Sequence, residues 1–409
     1  MIKQIIISFC LLFSITLLAQ QGTSSPYSYY GIGDVKFSGT VESRSMGGIS
    51  VFPDSIHMNL QNPAQFASLK LTNYALGGTV NKTTFLTEDK TENANRSSID
   101  YLAAAFPLKK FGFAIGAKPF TSVGYRIIDG YSKYDGIGGI NKVFIGAGFK
   151  LTKKINVGMD FQYNFGNIST TRLVFQDNVQ YGTKEYNRSN VTGYNLDFAV
   201  AFQTKISPKI NFFSSLIFTP QSNLDLENQR NIQIVQFITN NNQVTIENND
   251  IVVPKTFIKL PKKLTFGAGF GEEKKWLLGG EVTYIENSVL SNRLPDIQNA
   301  TFENSMRYSI GGYFIPKYNS YNNYFSKIVY RGGLRYENTG LVGNNKSIED
   351  FALTFGTGLP IGGTFSSANL GVEFGRKGTT SNNLIRENYI NFCLGLSLND
   401  HWFKKRVID

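Results

Sequence analysis

The sequence predicts an all-β fold: a transmembrane antiparallel β-barrel of about 14 strands, preceded by a short irregular segment. Three observations support this prediction. Segments of about ten residues that alternate apolar with small or polar side chains recur along the chain. The connections between these segments are mostly long and short in turn. An export signal precedes all of them.

The export signal occupies residues 1–19. Lys3 is followed by an apolar run that ends at Ala19, which is the pattern of a cleaved secretory signal peptide. The run is too short for a spanning helix, which needs about 20 residues. Removal of the signal would take Cys10 with it and leave Cys393 without a partner for an internal disulfide.

The composition narrows the class of protein. The chain contains 33 phenylalanines and 21 tyrosines, which is a high aromatic content. Its mean hydropathy of -0.17 excludes a bundle of membrane helices. The net charge of +11 comes with lysine pairs at predicted turns, namely Lys109–Lys110, Lys153–Lys154 and Lys274–Lys275. Because these pairs form no single stripe, we interpret them as solvated turns and expect no nucleic-acid partner.

The clearest repeating unit covers residues 260–284. It alternates apolar and small residues over 264–270 and again over 276–284, with a polar turn at 271–275. Successive side chains of a strand point to opposite faces, so each half has one apolar face and one small or polar face. The unit is therefore predicted to be a β-hairpin.

The other elements follow in order. Residues 20–69 are rich in Gly, Ser and Asn and lack periodicity, so we expect this segment to precede the sheet or to pack inside it. The barrel is predicted over residues 70–398 and a tail over 399–409. Residues 221–260 are predicted to be a long structured loop, rich in Asn but with the strand-like stretches IQIVQFI and VTIENNDIVV. The alternating segments centre on residues 71–80, 99–105, 111–127, 143–149, 155–173, 194–202, 210–218, 264–270, 276–284, 306–314, 328–336, 351–359, 368–374 and 390–396.

Two features of these segments bear on the architecture. Long connections, including 83–97, 129–139 and 181–190, mostly follow odd strands, and short ones follow even strands, which is typical of an outer-membrane barrel. In the third strand Pro119 cannot donate to the ladder, so we predict a kink there. A soluble all-β protein with one core face is the alternative, and the signal, the aromatic content and the loop asymmetry favour the barrel.

The sequence contains no recognisable pattern of catalytic or metal-binding residues. His57 and His401 lie near opposite ends of the chain, outside any ligand cluster. Gly136–Gly138 and Gly267–Gly269 precede no predicted helix and are not dinucleotide loops. We therefore expect no enzyme, no cofactor and no metal site, with lipid hydrolysis as the enzymatic alternative.

The N-terminal segment carries a recognisable motif. Gly47 and Gly48 lie in RSMGG, and Asn62, Pro63 and Ala64 follow after an Asp-Ser pair. This arrangement resembles the N-terminal signature of the FadL-type outer-membrane transporters. The hairpin at 260–284, with its LP, FG, KW and Tyr residues, resembles a hairpin of the same family. The similarity spans most of the mature chain.

The resemblance implies a 14-stranded barrel with an N-terminal hatch in its lumen. In characterised relatives, hydrophobic compounds enter through a side opening made by a kinked strand. The break at Pro119 is the candidate for that kink, and an edge bulge without a transport role is the alternative. The composition resembles that of Bacteroidota proteins, and in that phylum similar barrels also serve as subunits of the type IX secretion machinery.

Two functional hypotheses follow. The first is a channel for hydrophobic small molecules such as long-chain fatty acids, gated by the hatch in the outer membrane. The second is a non-transporting plug or shuttle subunit that binds the translocon barrel of type IX secretion. An apolar lumenal pocket would favour the first, and a lumen filled by side chains with a large exposed apolar patch would favour the second.

Overall fold

The computed structural model describes residues 22–176, 179–238, 242–293, 297, 299–320, 322–362 and 365–401. The predicted signal peptide at 1–19 and residues 402–409 of the predicted tail lie outside this part of the chain. Among the described residues, no helix is both long and apolar enough to cross a membrane. The single α-helix assigned there is α1 (Val41–Arg44).

The described residues form one antiparallel sheet of 19 strands. The strands are β1 (Asp34–Val35), β2 (Thr72–Leu86), β3 (Thr91–Leu108), β4 (Phe111–Asp129), β5 (Ser132–Lys150), β6 (Ile155–Val174), β7 (Tyr181–Lys205), β8 (Asn211–Thr219), β9 (Ser222–Ile238), β10 (Asn242–Ile251), β11 (Thr256–Leu260), β12 (Lys263–Glu272), β13 (Trp276–Ile285), β14 (Ala300–Phe302), β15 (Ser305–Phe314), β16 (Val329–Gly343), β17 (Lys346–Pro360), β18 (Ser367–Lys377) and β19 (Arg386–Asp400).

The sheet closes on itself because β19 pairs with β2 over fifteen residues, from Asp400 opposite Thr72 to Arg386 opposite Leu86. Two barrel strands are each interrupted near a proline, so that β8 continues as β9 and β11 continues as β12. β14 likewise continues as β15, since both pair with β16. With β1 and β10 left out, the wall has 14 strands, and the predicted fold class is confirmed. β10 pairs with β9 above the ring.

The wall is inverted relative to a soluble sheet. Large apolar side chains point outward and are exposed, as at Ile115 (54%), Ile145 (58%) and Phe266 (53%). The alternate positions point into the lumen and are buried although polar, as at Asn164 and Asn369. A continuous exposed apolar belt on a closed barrel is the arrangement of a protein that lies in lipid, where closure pairs the backbone groups.

Several predicted loops are strands. β2 and β3 are joined by a four-residue turn instead of a loop at 83–97, β5 begins within 129–139, and β7 covers 181–190. The segment 221–260, predicted as a long loop, contains β9, β10 and β11. The physical reason is that these extensions lie beyond the apolar belt. There polar side chains pair across strands, as Thr84 does with Asn93, and no apolar parity is needed.

The N-terminal part, residues 22–71, lies in the lumen and is called the lumenal segment below. Its 3-10 helix Pro63–Ser68 packs against β4, β5, β6 and β7. Gly112 and Gly158 make this possible, because a Cβ at either position would overlap the backbone of Phe66 or Pro63. The lumen is therefore occupied by the chain's own N-terminal residues.

The connections divide the barrel into two ends. The short-turn end holds the tight connections near residues 109–110, 151–154, 206–210 and 273–275, together with the first residue of β2 and the last of β19. The long-strand end is where β2, β3, β7 and β9 extend beyond the belt. The 3-10 helix of the lumenal segment lies toward the short-turn end, and β1 lies toward the long-strand end.

Candidate functional site

The barrel wall has a gap between β3 and β4. These strands pair only from Leu108 opposite Phe111 to Leu102 opposite Ala117. Beyond that point β3 continues along β2 and β4 continues along β5, with no pairing between β3 and β4 in the described residues. The wall therefore opens on the side of the long-strand end.

Two bulges flank the start of the gap. In β4 the register against β5 shifts between Pro119 and Thr121, so Phe120 is the extra residue. In β3, Asp100 is the extra residue between the partners of Gly77 and Gly78. A bulge bends its strand and increases the local twist, and Pro119 removes one ladder donor. The predicted break thus lies where the two strands separate.

The lumenal segment contributes a strand to the gap. β1 pairs with the free edge of β4, with Asp34 opposite Ser122 and Val35 opposite Thr121. The Lys36 amide donates to the Phe120 carbonyl oxygen at 2.9 Å. β1 thus pairs with two residues at the start of the edge of β4 that β3 leaves unpaired.

Ion pairs hold this part of the lumenal segment in place. Asp34 accepts from Lys377 of β18 at 2.7 Å and lies 3.5 Å from Lys36. Burial by itself would raise the pKa of the Asp34 carboxyl, yet Lys377 and Lys36 lower it to about 2. The carboxylate is therefore charged at neutral pH and ties β1 to β18 of the barrel wall.

Arg44 makes the second connection. Its guanidinium donates to Glu373 of β18 at 3.0 Å and to Thr79 of β2 at 2.8 Å, and it lies 3.3 Å from the carboxylate of Asp100. Asp100 is the bulge residue of β3, so Arg44 joins the lumenal segment to the strand that borders the gap. The three charged side chains are largely buried.

A cavity of about 390 Å³ lies behind the gap and is called the gap cavity. Its wall combines apolar side chains of the lumenal segment and the barrel with nine basic and seven acidic residues. The apolar members include Ile32, Phe37, Leu60, Phe120, Leu260 and Leu290, and the basic members include Arg96, Lys118, Lys142 and Lys263. Most of the carboxylates pair with arginines or with Lys377. Lys118, Lys142 and Lys263 take part in none of these pairs, so this part of the wall suits the anionic end of an amphipathic molecule.

Two of these lysines contact the gap elements directly. Lys118 donates to the carbonyl oxygens of Leu60 at 2.9 Å and Ser38 at 3.3 Å. The Lys142 ammonium lies 3.8 Å from the centroid of the Phe120 ring, and it donates to Gln162. The bulged Phe120 therefore packs between the gap and the half-buried ammonium of Lys142.

The motif residues predicted as the hatch lie deeper than the gap. Gly47 and Gly48 adopt positive φ (70° and 87°), and a Cβ on Gly47 would lie 2.6 Å from the Leu334 carbonyl oxygen. The Gly47 amide donates to the Thr354 hydroxyl at 2.9 Å. These glycines let the lumenal segment turn against β15, β16 and β17.

The Asn62, Pro63 and Ala64 motif begins the 3-10 helix. The Asn62 side chain accepts from the Ala64 amide at 3.2 Å, and Pro63 occupies the first helical position, where its missing N–H costs nothing. Ala64 is fully buried against Ala199, Ala201 and Ile217. The motif thus anchors the segment to the wall, whereas only Pro119 of the predicted site residues lies at the gap.

Several functional candidates escaped the sequence reasoning. Arg44 lies inside RSMGG, but its partners Asp100 and Glu373 are distant in sequence. His57, expected to be isolated, pairs with Asp54 at 2.9 Å and with Ser367 of β18 at 2.8 Å. Asp54 and His57 are three residues apart in the sequence, and this short spacing was the only sequence feature that indicated their contact.

Solved structures of similar fold are FadL-like channels. The toluene transporter TodX of Pseudomonas putida has a TM-score of 0.61 at 14% identity, covering 90% of this chain and 98% of that chain. The CymD monoaromatic hydrocarbon channel has a TM-score of 0.60 at 13% identity, covering 93% and 100%. A Pseudomonas aeruginosa FadL homologue has a TM-score of 0.58 at 11% identity, covering 91% and 100%. These likenesses show a FadL-type fold.

No curated protein sequence matches the chain. The family model described as BamG matches this chain over residues 1–409. The chain therefore belongs to the BamG family.

Proposed function

We propose that this protein is an outer-membrane channel for hydrophobic small molecules with an anionic end, such as long-chain fatty acids. The observation that carries the proposal is the gap between β3 and β4, behind which the gap cavity lies. The similar fold of the CymD hydrocarbon channel and the TodX toluene transporter supports it. The signal at residues 1–19 would direct export to that membrane.

In this proposal the lumenal segment acts as the hatch. β1 closes the gap by pairing with β4, and it is held by ion pairs and by only two residue pairs of the ladder. A two-residue strand is weakly held by the ladder alone, so it can leave the gap without disrupting the barrel wall. Its departure would join the gap cavity to the lipid.

The lining of the gap cavity argues for the anionic end. Apolar residues such as Phe37 and Leu60 would contact a hydrocarbon chain, while Lys118, Lys142 and Lys263 would face a carboxylate. A charge-assisted hydrogen bond to a buried ammonium is stronger than a neutral one. A purely apolar hydrocarbon has no group that could accept a hydrogen bond from these amines. We therefore expect the gap cavity to bind a hydrocarbon more weakly than a fatty acid.

The sequence also raised a subunit of type IX secretion, which would bind a Bacteroidota translocon barrel. The gap and the fold likeness favour the channel over that alternative. We therefore propose the channel alone.

Locking the hatch tests the channel. Val35→Cys with Thr121→Cys places two thiols on directly paired positions of β1 and β4, where Cα atoms lie about 4.5–5.5 Å apart. Uptake of radiolabelled oleate would be measured in a Gram-negative host that lacks its own fatty-acid channel. We expect uptake by the wild type, loss of uptake in the oxidised double variant, and recovery after reduction.

The matched control links β3 to β4 where they are already paired. Leu102→Cys with Ala117→Cys forms its bridge at the last pair before the gap. This bridge should leave oleate uptake unchanged in both redox states. Absence of uptake by the wild type, or equal uptake by the locked and unlocked hatch, would refute the proposed route.

A further inference from the structure

A second cavity opens at the short-turn end, away from the gap cavity. It has a volume of about 1120 Å³ and is called the vestibule. Six lysines contribute to its lining, namely Lys70, Lys150, Lys153, Lys154, Lys205 and Lys274. Its volume exceeds the usual range of about 300–1,000 Å³ for small-molecule sites. A larger occupant than a single small molecule would therefore fit it.

The charge at this end has one dominant sign. The strand ends and connections at residues 108–111, 150–155, 205–211, 272–276 and 315–328 carry eleven lysines and two glutamates. Turn solubility requires charge of either sign, so it does not explain so strong a bias toward lysine. Clustered charge of one sign attracts and orients a partner of the opposite sign.

Among the residues that the structure describes, no ion pair involves a vestibule lysine. Lysine ion pairs in the described part of the chain involve other residues, namely Lys36, Lys133, Lys255, Lys262, Lys275 and Lys377. Lys274 has positive φ and holds its ammonium 4.8 Å from the centroid of the Tyr318 ring. Three carboxylates line the cavity, and none of them forms an ion pair with a vestibule lysine: Asp54 pairs with His57, Glu273 accepts from Gln203 and Asn211, and Glu42 accepts from Asn369.

The floor of the vestibule is apolar and aromatic. Phe52 and Phe213 meet edge to face with ring centroids 5.6 Å apart, and Tyr313 packs against the same cluster. The vestibule thus combines a cationic rim with an aromatic floor inside the barrel mouth. Lipid headgroups lie around the outside of the wall, whereas a polypeptide segment can enter the mouth.

We propose that the vestibule is a docking site for an acidic polypeptide segment of a partner protein on the periplasmic side. The acidic side chains would pair with the lysine rim, and an aromatic or aliphatic residue would reach the floor. This site lies beyond the proposed channel function, because it concerns the opposite end of the barrel. It does not depend on which molecule enters through the gap.

Peptide binding to the full-length mature protein tests the proposal. The protein would be held in nanodiscs of phosphatidylcholine, and the probe would be a fluorescein-labelled peptide of glutamate and tyrosine. Its counterpart has glutamine in place of every glutamate. Fluorescence anisotropy should show saturable binding of the acidic peptide that weakens as salt is raised, with no saturable binding of the glutamine peptide.

Two variants of equal charge locate the site. Lys150→Gln with Lys153→Gln and Lys154→Gln removes three charges from the vestibule rim. Lys109→Gln with Lys110→Gln and Lys209→Gln removes three charges from the same end outside the lining of the vestibule. We expect the Kd of the acidic peptide to rise about tenfold or more in the first variant and less than about threefold in the second.

Several results would overturn the proposal. Equal weakening in both triple variants would mean diffuse attraction to the whole end. Equal binding of the glutamine peptide, or no binding by the wild type, would exclude an acidic docking site. Displacement of the bound peptide by phosphatidylglycerol in the nanodisc would assign the lysines to lipid headgroups instead.

Discussion

At the scale of single residues, Arg44 links the lumenal segment to β3, which borders the gap, and to β18. Arg44→Gln would leave Asp100 without its cation and Glu373 with Arg335 alone. Removing one partner of a buried ion pair costs about 3–5 kcal/mol when the remaining charge stays buried. We expect faster amide hydrogen exchange over residues 34–49 in this variant, measured by mass spectrometry, with unchanged exchange in the hairpin β12–β13.

The control for Arg44 is Arg126→Gln. Arg126 pairs with Asp135 at 2.7 Å, but its side chain is 74% exposed, so its loss should change little. Equal exchange in residues 34–49 of the two variants would show that Arg44 does not hold the segment.

His57 predicts a pH dependence of the same segment. Burial by itself lowers the pKa of His57, but Asp54 and Glu42 outweigh it and raise the pKa above its ordinary value. Its contribution to stability is therefore complete below the unfolded value of about 6.5 and is lost as the pH rises through the higher folded value. The stability difference between the wild type and His57→Gln, measured by urea unfolding in lipid, should be largest below pH ~6.5 and shrink in alkaline buffer. A difference that grows with pH would contradict the raised pKa.

At the scale of elements, the bulge at Phe120 should set the width of the gap. Deletion of Phe120 with Pro119→Ala would restore a regular ladder between β4 and β5 and supply the missing donor. We expect β3 and β4 to pair further, with reduced oleate uptake and an intact barrel, judged by its heat-modifiable migration in gels. Full uptake by this variant would show that the bulge does not open the wall.

The strands inside the apolar belt could be predicted from the sequence, whereas most of the strand extensions outside the belt could not. Alternation located strands such as β6 and β12 because lipid requires one apolar face. It placed β9 and β10 in a long structured loop, although both contain strand-like stretches, because the segment is rich in asparagines such as Asn231 and Asn248. Pro119 was found because proline has a local effect on a ladder. β1 and the contact between Arg44 and Asp100 were not found, since pairings distant in sequence leave no local pattern.

At the scale of the whole molecule, two sets of exposed apolar side chains differ in surroundings. Ile145 of β5 is 58% exposed within the belt, opposite Ile115 and Phe161 of the neighbouring strands. Ile246 of β10 is similarly exposed, at 55%, but its strand lies above the ring. If the belt lies in lipid, the same substitution should have different costs at the two positions.

Arginine substitution at each position measures that difference. Ile145→Arg would place a charge against hydrocarbon near mid-belt, and we expect a loss of about 2–4 kcal/mol in the free energy of unfolding. Ile246→Arg would remain in water and should change it by less than about 0.5 kcal/mol. Both values come from urea titration of the protein folded into phosphatidylcholine vesicles. Similar costs at the two positions would mean that the belt does not contact lipid, and the barrel would then have to cover its apolar face with another protein surface.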